Sequence, residues 1–326
     1  MTTPTRPAKR APAPPQRPAP TNKPPASKPV PSAANNLKNL PSIKAGICNL
    51  FEDMIEERVA HGRFIMFYGP PGMGKTTLAA KFPKCAFVTT SGEQGIYLYK
   101  EKGLVSKDMP IVQLDPLFPH DQIPAGTGHP GYLRCKLALE RFRDLKHNYE
   151  TMVIDSVSGL QDLCYQHCAS MLFNGDMDSK EFTAYFAGYT KAAEAFWSSE
   201  ILKTILEIVA KGLNVILLAH STFKPVQNAN GPDYDQYRPE LDKGFLKYVS
   251  KDLHGMFFMG QEIMVAIDQK TKKKTTMGDR RFIGMAPTTY YLAKSWCTPE
   301  GVTELDCGDS ADATYKKLAE VLGMEK

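Results

Sequence analysis

The sequence predicts an α/β fold, a doubly wound and mostly parallel sheet with an antiparallel β-hairpin extension toward its C-terminal end. Three observations predict it. Short apolar runs at 64–68, 85–90, 111–115, 151–155 and 214–219 alternate with segments of helical periodicity at 75–82, 132–147, 158–172 and 181–211. A glycine-rich loop, Gly69-Pro70-Pro71-Gly72-Met73-Gly74-Lys75-Thr76, joins the first of these strands to the first of these helices. After residue 255 the alternation gives way to two strand runs, 256–267 and 281–292, around a polar turn.

Taken in order, residues 1–40 hold eleven prolines and seven Lys and Arg with no acid and almost nothing to bury. They read as a disordered, partly polyproline-II arm, either a solubilising tail or a basic arm for phosphates or a protein partner. That proline content forbids the amphipathic helix of a transit peptide. The globular part spans 41–326 as one domain, starting with a short helix near 43–60. The run Phe64-Ile65-Met66-Phe67-Tyr68 is apolar at every position, as a strand covered on both faces must be. A final helix near 311–322 closes the chain.

Composition removes several function classes. In 326 residues no stretch approaches the ~20 apolar residues of a membrane span. Seven of the 40 Lys and Arg lie in the arm, leaving 33 bases against 35 acids. The pI of 8.7 therefore belongs to the arm, and nucleic-acid binding needs a local patch. Seven cysteines without a CxxC pair, and no apolar signal at the start, give a reducing cytoplasm as the expected compartment. Cys164, His167 and Cys168 share a helical face but lack an evident fourth metal ligand, so buried thiols are the plainer reading.

The loop from Gly69 to Thr76, followed by Thr77, is a full G-x-x-x-x-G-K-[ST] in strand–loop–helix context. Its glycines let backbone N–H groups surround a β-phosphate, Lys75 supplies a cation to the β and γ oxygens, and Thr76 offers a Mg²⁺ ligand. ATP and Mg²⁺ are the expected ligands. The strand 151–155 ends in Asp155 at the carboxyl edge of the sheet, where a carboxylate can hold the metal's water shell. Ser156 follows it, whereas AAA+ ATPases place a base-like Glu there, so the water-activating carboxylate is sought elsewhere. Glu93, just past the strand after the phosphate-loop helix, is the candidate, on the expectation that this strand lies beside the phosphate-loop strand. The strand 214–219 ends in His220, a polar group placed to sense the γ-phosphate.

This order of parts resembles RecA-like P-loop ATPases, and most of all a phage-encoded minimal RecA-core family that includes single-strand annealing recombination proteins. The resemblance covers about 45–300. It implies a DNA-stimulated ATPase in recombination, a ring or filament of identical subunits, a single-strand DNA binding protein as partner, and the cytoplasm of a bacterial host. It also implies a mobile DNA-facing loop, here about 221–251. That stretch holds Lys224, Tyr237, Arg238, Lys243 and Lys247, which suit phosphate contact and base stacking, but also four acids that suit an ordinary solvated loop. The family's late basic pair, which reaches a neighbouring subunit's γ-phosphate, matches Lys294, although Trp296 replaces the second base. Lys272, Lys273 and Lys274 at the hairpin turn are further phosphate-contact candidates, or lysines that protect a sheet edge. Two other functions stay open. One is a small-molecule kinase with Arg134, Arg141 and Arg143 over the acceptor; the other is a nucleotide-dependent adaptor or loader working through a protein partner.

Overall fold

The strand Phe64–Tyr68 (β1) is fully buried along its length, as its unbroken apolar sequence requires. In the computed structural model it lies between two parallel neighbours, Asn214–Ala219 (β5) and Gly255–Ile267 (β8). The structure describes residues 62–114, 126–228, 231–267 and 274–324, all within a unit running from Arg58 to Lys326. The expected arm and the helix at 43–60 lie outside the described residues, as do Asp115, Lys272 and Lys273.

Beyond β5 the sheet continues in parallel through Thr151–Asp155 (β4), Cys85–Thr89 (β2) and Ile111–Gln113 (β3). On the other side β8 turns back antiparallel as Lys274–Gly284 (β9), which pairs with Glu304–Asp306 (β11). The short Lys294–Ser295 (β10) also pairs with β8. The expected parallel sheet with an antiparallel extension is thus present. The second hairpin strand stops at Gly284 rather than 292, because Met285 and Ala286 donate to Thr303 O and Pro287 then interrupts the ladder.

Alternation along the parallel strands sends residues to two apolar layers. Phe64, Met66, Ile154 and Leu217 face one layer, under Pro130–Asp144 (α3), Val157–Leu172 (α4), Lys203–Ala210 (α7) and Lys243–Asp252 (α8). Ile65, Phe67, Val153 and Ile216 face the other, under Lys75–Ala79 (α1), Gly95–Glu101 (α2) and Ala311–Val321 (α9).

Two helical expectations and one loop are revised. The first helix ends at Ala79, since Pro83 removes a donor and biases Phe82 away from helical backbone. The helix expected over 181–211 is broken into Lys180–Thr183 (α5), a kink, Ala187–Lys191 (α6), a π-helical stretch Ala192–Leu202, and α7. The kink places Phe182, fully buried, against Gly188, where a Cβ would come within 2.2 Å of its ring. The loop expected over 221–251 is instead an antiparallel hairpin, Ser221–Val226 (β6) with Tyr234–Pro239 (β7), followed by α8.

Candidate active site

The carboxyl ends of β1, β4 and β5, with the turn after β2, enclose a cavity of about 150 Å³. Its lining includes Gly72, Gly74, Lys75, Thr76, Glu93, Tyr99, Asp155, Ser156 and His220. The phosphate loop is shaped by Gly72 at φ 80° and Gly74 at φ 88°, left-handed backbone that an L side chain would strain. Gly69 lies against β8, where a Cβ would sit 2.2 Å from Met259 O. Thr77 Oγ1 donates to Gly74 O at 2.9 Å, tying the first helical turn to the loop, and Met73 packs on the apolar layer beneath.

Lys75 Nζ donates to Gly69 O at 2.8 Å and Pro70 O at 3.0 Å, so the loop's own carbonyls hold the ammonium at the mouth of the cradle. Burial lowers its pKa from the ordinary range, with Asp155 and Glu93 opposing that shift. Asp155 is 5% exposed. Burial, reinforced by the nearby Glu93 carboxylate, pushes its pKa up to about 6 against the hydrogen bond from Thr76. Thr76 Oγ1 donates to Asp155 Oδ2 at 2.8 Å. A desolvated carboxylate beside a hydroxyl, all oxygen donors, is a set that a hard divalent cation suits. The residues therefore fit Mg²⁺, which Thr76 and Asp155 would hold and which would neutralise phosphate charge there.

The turn after β2 carries Glu93. Gly92 at φ 87° reverses the chain, and Glu93 N donates to Thr90 O at 3.3 Å. Thr90 in turn anchors β4, its N–H bonding Asp155 O at 2.9 Å and its Oγ1 accepting from Ser156 N at 3.1 Å. The expectation that β2 neighbours the phosphate-loop strand is overturned. The order β1–β5–β4–β2 puts two strands between them, because β5 inserts between the phosphate-loop strand and the Asp155 strand. The turn, rather than strand adjacency, carries Glu93 into the cavity.

That same insertion places the end of β5 opposite Glu93. His220 Nε2 and Glu93 Oε1 are 2.8 Å apart although 127 residues separate them in sequence. The hydrogen bond from His220 holds the Glu93 carboxyl below the usual carboxylate range, against burial, with smaller help from the Ser156 hydroxyl and Lys75. The same bond raises His220 above its ordinary value. Ser156 also caps α4, accepting from Gly159 N at 3.2 Å.

Other candidate residues lie away from this cavity. Lys294 Nζ donates to Ser250 O at 2.6 Å and Lys251 O at 3.0 Å, closing the C-terminal end of α8 beneath the Trp296 ring. Lys224 is exposed on β6, and Tyr237 on β7 stacks on Phe258 with ring centroids 5.2 Å apart. Arg238 Nε donates to Gln236 at 3.1 Å, and Lys243 is the exposed first residue of α8. Lys274 opens β9. Arg143 pairs with Asp144 and Glu207, while Arg134 and Arg141 line a separate cleft beside β2. Cys164 and Cys168 are buried, and His167 Nδ1 accepts from His129 N at 3.0 Å. Among the described residues no His, Cys, Asp and Glu group could hold a metal by itself, and no helix is long and apolar enough to cross a membrane.

Sequence reasoning missed Tyr99, which enters the cavity from α2. Its signal was available, since α2 begins two residues after Glu93 and one helical turn brings position 99 back over Gly95, where an added Cβ would lie 3.7 Å from the Tyr99 ring.

A family model described as an AAA domain matches residues 61–297, from before β1 to just after β10. The chain belongs to this AAA-domain family, AAA_24. It is accordingly a nucleotide-binding domain of ATPase type, with Ser156 after Asp155 and Glu93 as the second carboxylate lining its cavity. Among solved structures, the flagellar accessory protein FlaH from Methanocaldococcus jannaschii is similar at 11% identity and a TM-score of 0.35, over 69% of this chain and 78% of that one. No curated protein matches the chain.

Proposed function

We propose that this AAA-domain protein is a DNA-dependent ATPase of recombination or single-strand annealing, whose ATP-bound form engages single-stranded DNA and whose hydrolysis resets it. Identical subunits assemble around the DNA, and a single-strand DNA binding protein is the natural partner. The observation that carries this reading is the Glu93–His220 pair, which joins the phosphate cavity to the root of the β6–β7 hairpin.

Lys75, Gly72 and Gly74 would bind the phosphates, and Glu93 would take the proton from the attacking water. His220 would keep Glu93 ionised and oriented, which makes it a positioning residue. Loss of the γ-phosphate would then be felt at His220, whose carbonyl accepts from Glu240 N at 2.9 Å and so closes the root of the hairpin. A second tie runs from β1, where the Tyr68 hydroxyl donates to Tyr237 O at 3.1 Å and to Leu292 O. No arginine lines the cavity among the described residues, which argues for water over a phosphate-accepting metabolite.

The test is steady-state ATP hydrolysis with and without single-stranded DNA, with Lys75→Ala as the blank. Stimulation by DNA supports the proposal. A rate indifferent to DNA, despite tight ATP binding, rejects it in favour of a protein partner.

A further inference from the structure

Helix α8 is amphipathic in an unusual way. Phe245 and Val249 are buried against the helical layer, while Lys243, Lys247 and Lys251, spaced one turn apart, are all exposed on the opposite face. None of the three enters an ion pair among the described residues. An aromatic group stands at each end of this row. At the N-terminal end, Lys243 shares a cleft of about 490 Å³ with Phe186 and Tyr189. Phe186 and its neighbour Tyr185 hold left-handed backbone at φ 58° and 53°, and both rings are largely exposed, at 72% and 99%. Bulky side chains are rarely kept in that conformation without a use for it. At the C-terminal end, Lys294 binds the last carbonyls of α8 and supports Trp296, 69% exposed, with its ammonium 3.4 Å from the ring centroid.

We infer that the outer face of α8 is a track for single-stranded nucleic acid, with Lys243, Lys247 and Lys251 on successive phosphates and bases stacking on Phe186 and Trp296. This rests on the nucleic-acid reading above and, of the stretch 221–251, gives the main contact to α8 rather than to the β6–β7 hairpin. Three cations about 6 Å apart along a helix match the repeating charge of a strand backbone, and a nucleobase fits a cleft of this size between aromatic rings. Two acids flank the row, Asp242 lining the same cleft as Lys243 and Asp252 at the other end, and none stands between the lysines. Asp242 accepts from the Tyr165 hydroxyl, and Asp252 lies near the Lys294 ammonium. A stacked base at each end and cations between them is an arrangement that binds strands without reading sequence.

The experiment uses the full chain and a fluorescein-labelled oligothymidylate, followed by anisotropy across a salt series. The triple variant Lys243→Gln, Lys247→Gln, Lys251→Gln is compared with Lys102→Gln, Lys107→Gln, Lys316→Gln, which removes the same charge from exposed sites elsewhere. The first should weaken binding by about tenfold or more at low salt and flatten the log–log salt slope by about 2, the value for three lost contacts to a single strand. The second should change it less than about twofold. Trp296 gives an independent readout, since the only other tryptophan, Trp197, is fully buried. Oligothymidylate should quench tryptophan emission, and Trp296→Phe should abolish the quenching. Thermal melting of each variant verifies folding. Equal losses from both triple variants, or full affinity in the α8 variant with loss in Lys224→Gln, Arg238→Gln, would overturn the α8 track and leave the nucleic-acid reading in place. No binding by the wild-type chain, with or without ATP, would overturn both.

Discussion

Replacing Glu93 by glutamine keeps the side chain's shape and its hydrogen-bonding reach to His220, while removing the negative charge and the proton acceptor. A positioned general base contributes about 10²- to 10⁴-fold. The Glu93→Gln chain should therefore lose about 3 to 5 kcal/mol of transition-state stabilisation at ~1.4 kcal/mol per tenfold. Nucleotide affinity should hold or improve, because a carboxylate that interacts with Lys75 and Asp155 is gone from beside the phosphate site. His220 should titrate lower than in the wild type, since its raised pKa comes first from the hydrogen bond to Glu93. The pair also fixes a pH window. Glu93's contribution to stability is present above its ordinary value of 4.5 and is lost as pH falls through its lowered folded value. His220's contribution is complete below its ordinary 6.5 and is lost as pH rises through its raised folded value. The interaction is intact between those limits. Single-turnover ATP hydrolysis gives the chemical step, a fluorescent nucleotide gives affinity, and a histidine NMR titration gives the His220 shift. Hydrolysis within about threefold of wild type, with nucleotide bound normally, would remove Glu93 from the role of base.

Other perturbations test the same architecture. Burial pushes the Asp155 pKa up to about 6 from the ordinary 3.8, so this group's own contribution to the stability of the nucleotide-free protein should fall as pH rises from about 4 to about 6 and change no further above that. Asp155→Asn should abolish that slope and raise the nucleotide-free folding stability at neutral pH by up to roughly 3 kcal/mol, seen as a higher melting point, while losing magnesium-dependent hydrolysis; a lower melting point contradicts the burial argument. Tyr68→Phe deletes the hydroxyl that ties β1 to Tyr237 O and Leu292 O and should cost about 1 to 2 kcal/mol in denaturant unfolding. An unchanged midpoint would show that the tie is not used. Gly69→Ala would drive a Cβ into Met259 O, and a lost or reduced thermal transition together with weakened nucleotide binding is expected; a wild-type melt would mean that the β1–β8 seam can open without cost.

Much of the site could be read from local pattern. The loop Gly69–Thr76 is contiguous, so its glycines, Lys75 and Thr76 are placed by sequence alone, and β4 delivers Asp155 because an apolar strand must end where its polar residue begins. Glu93 and His220 were legible as polar residues at strand ends, but their 2.8 Å contact was not, since local periodicity says nothing about which strands become neighbours. The expected neighbour of β1 was β2, and the sheet instead inserted β5 and β4. The segment after His220 was expected as a loop on the family resemblance alone, yet 221–226 and 234–239 form a hairpin whose strands pair with each other rather than with the main sheet.

The sequence by itself determined the α/β class, the phosphate loop and the edge of the sheet that carries the chemistry, because backbone conformation and burial periodicity are set by residues near in the chain. Only the tertiary structure decided the strand order, the Glu93–His220 pairing, the seating of Lys294 on α8 and the lysine face beside Phe186 and Trp296. Each of these depends on contacts between residues far apart in the chain, chosen by the packing of whole layers, and no local pattern encodes that choice.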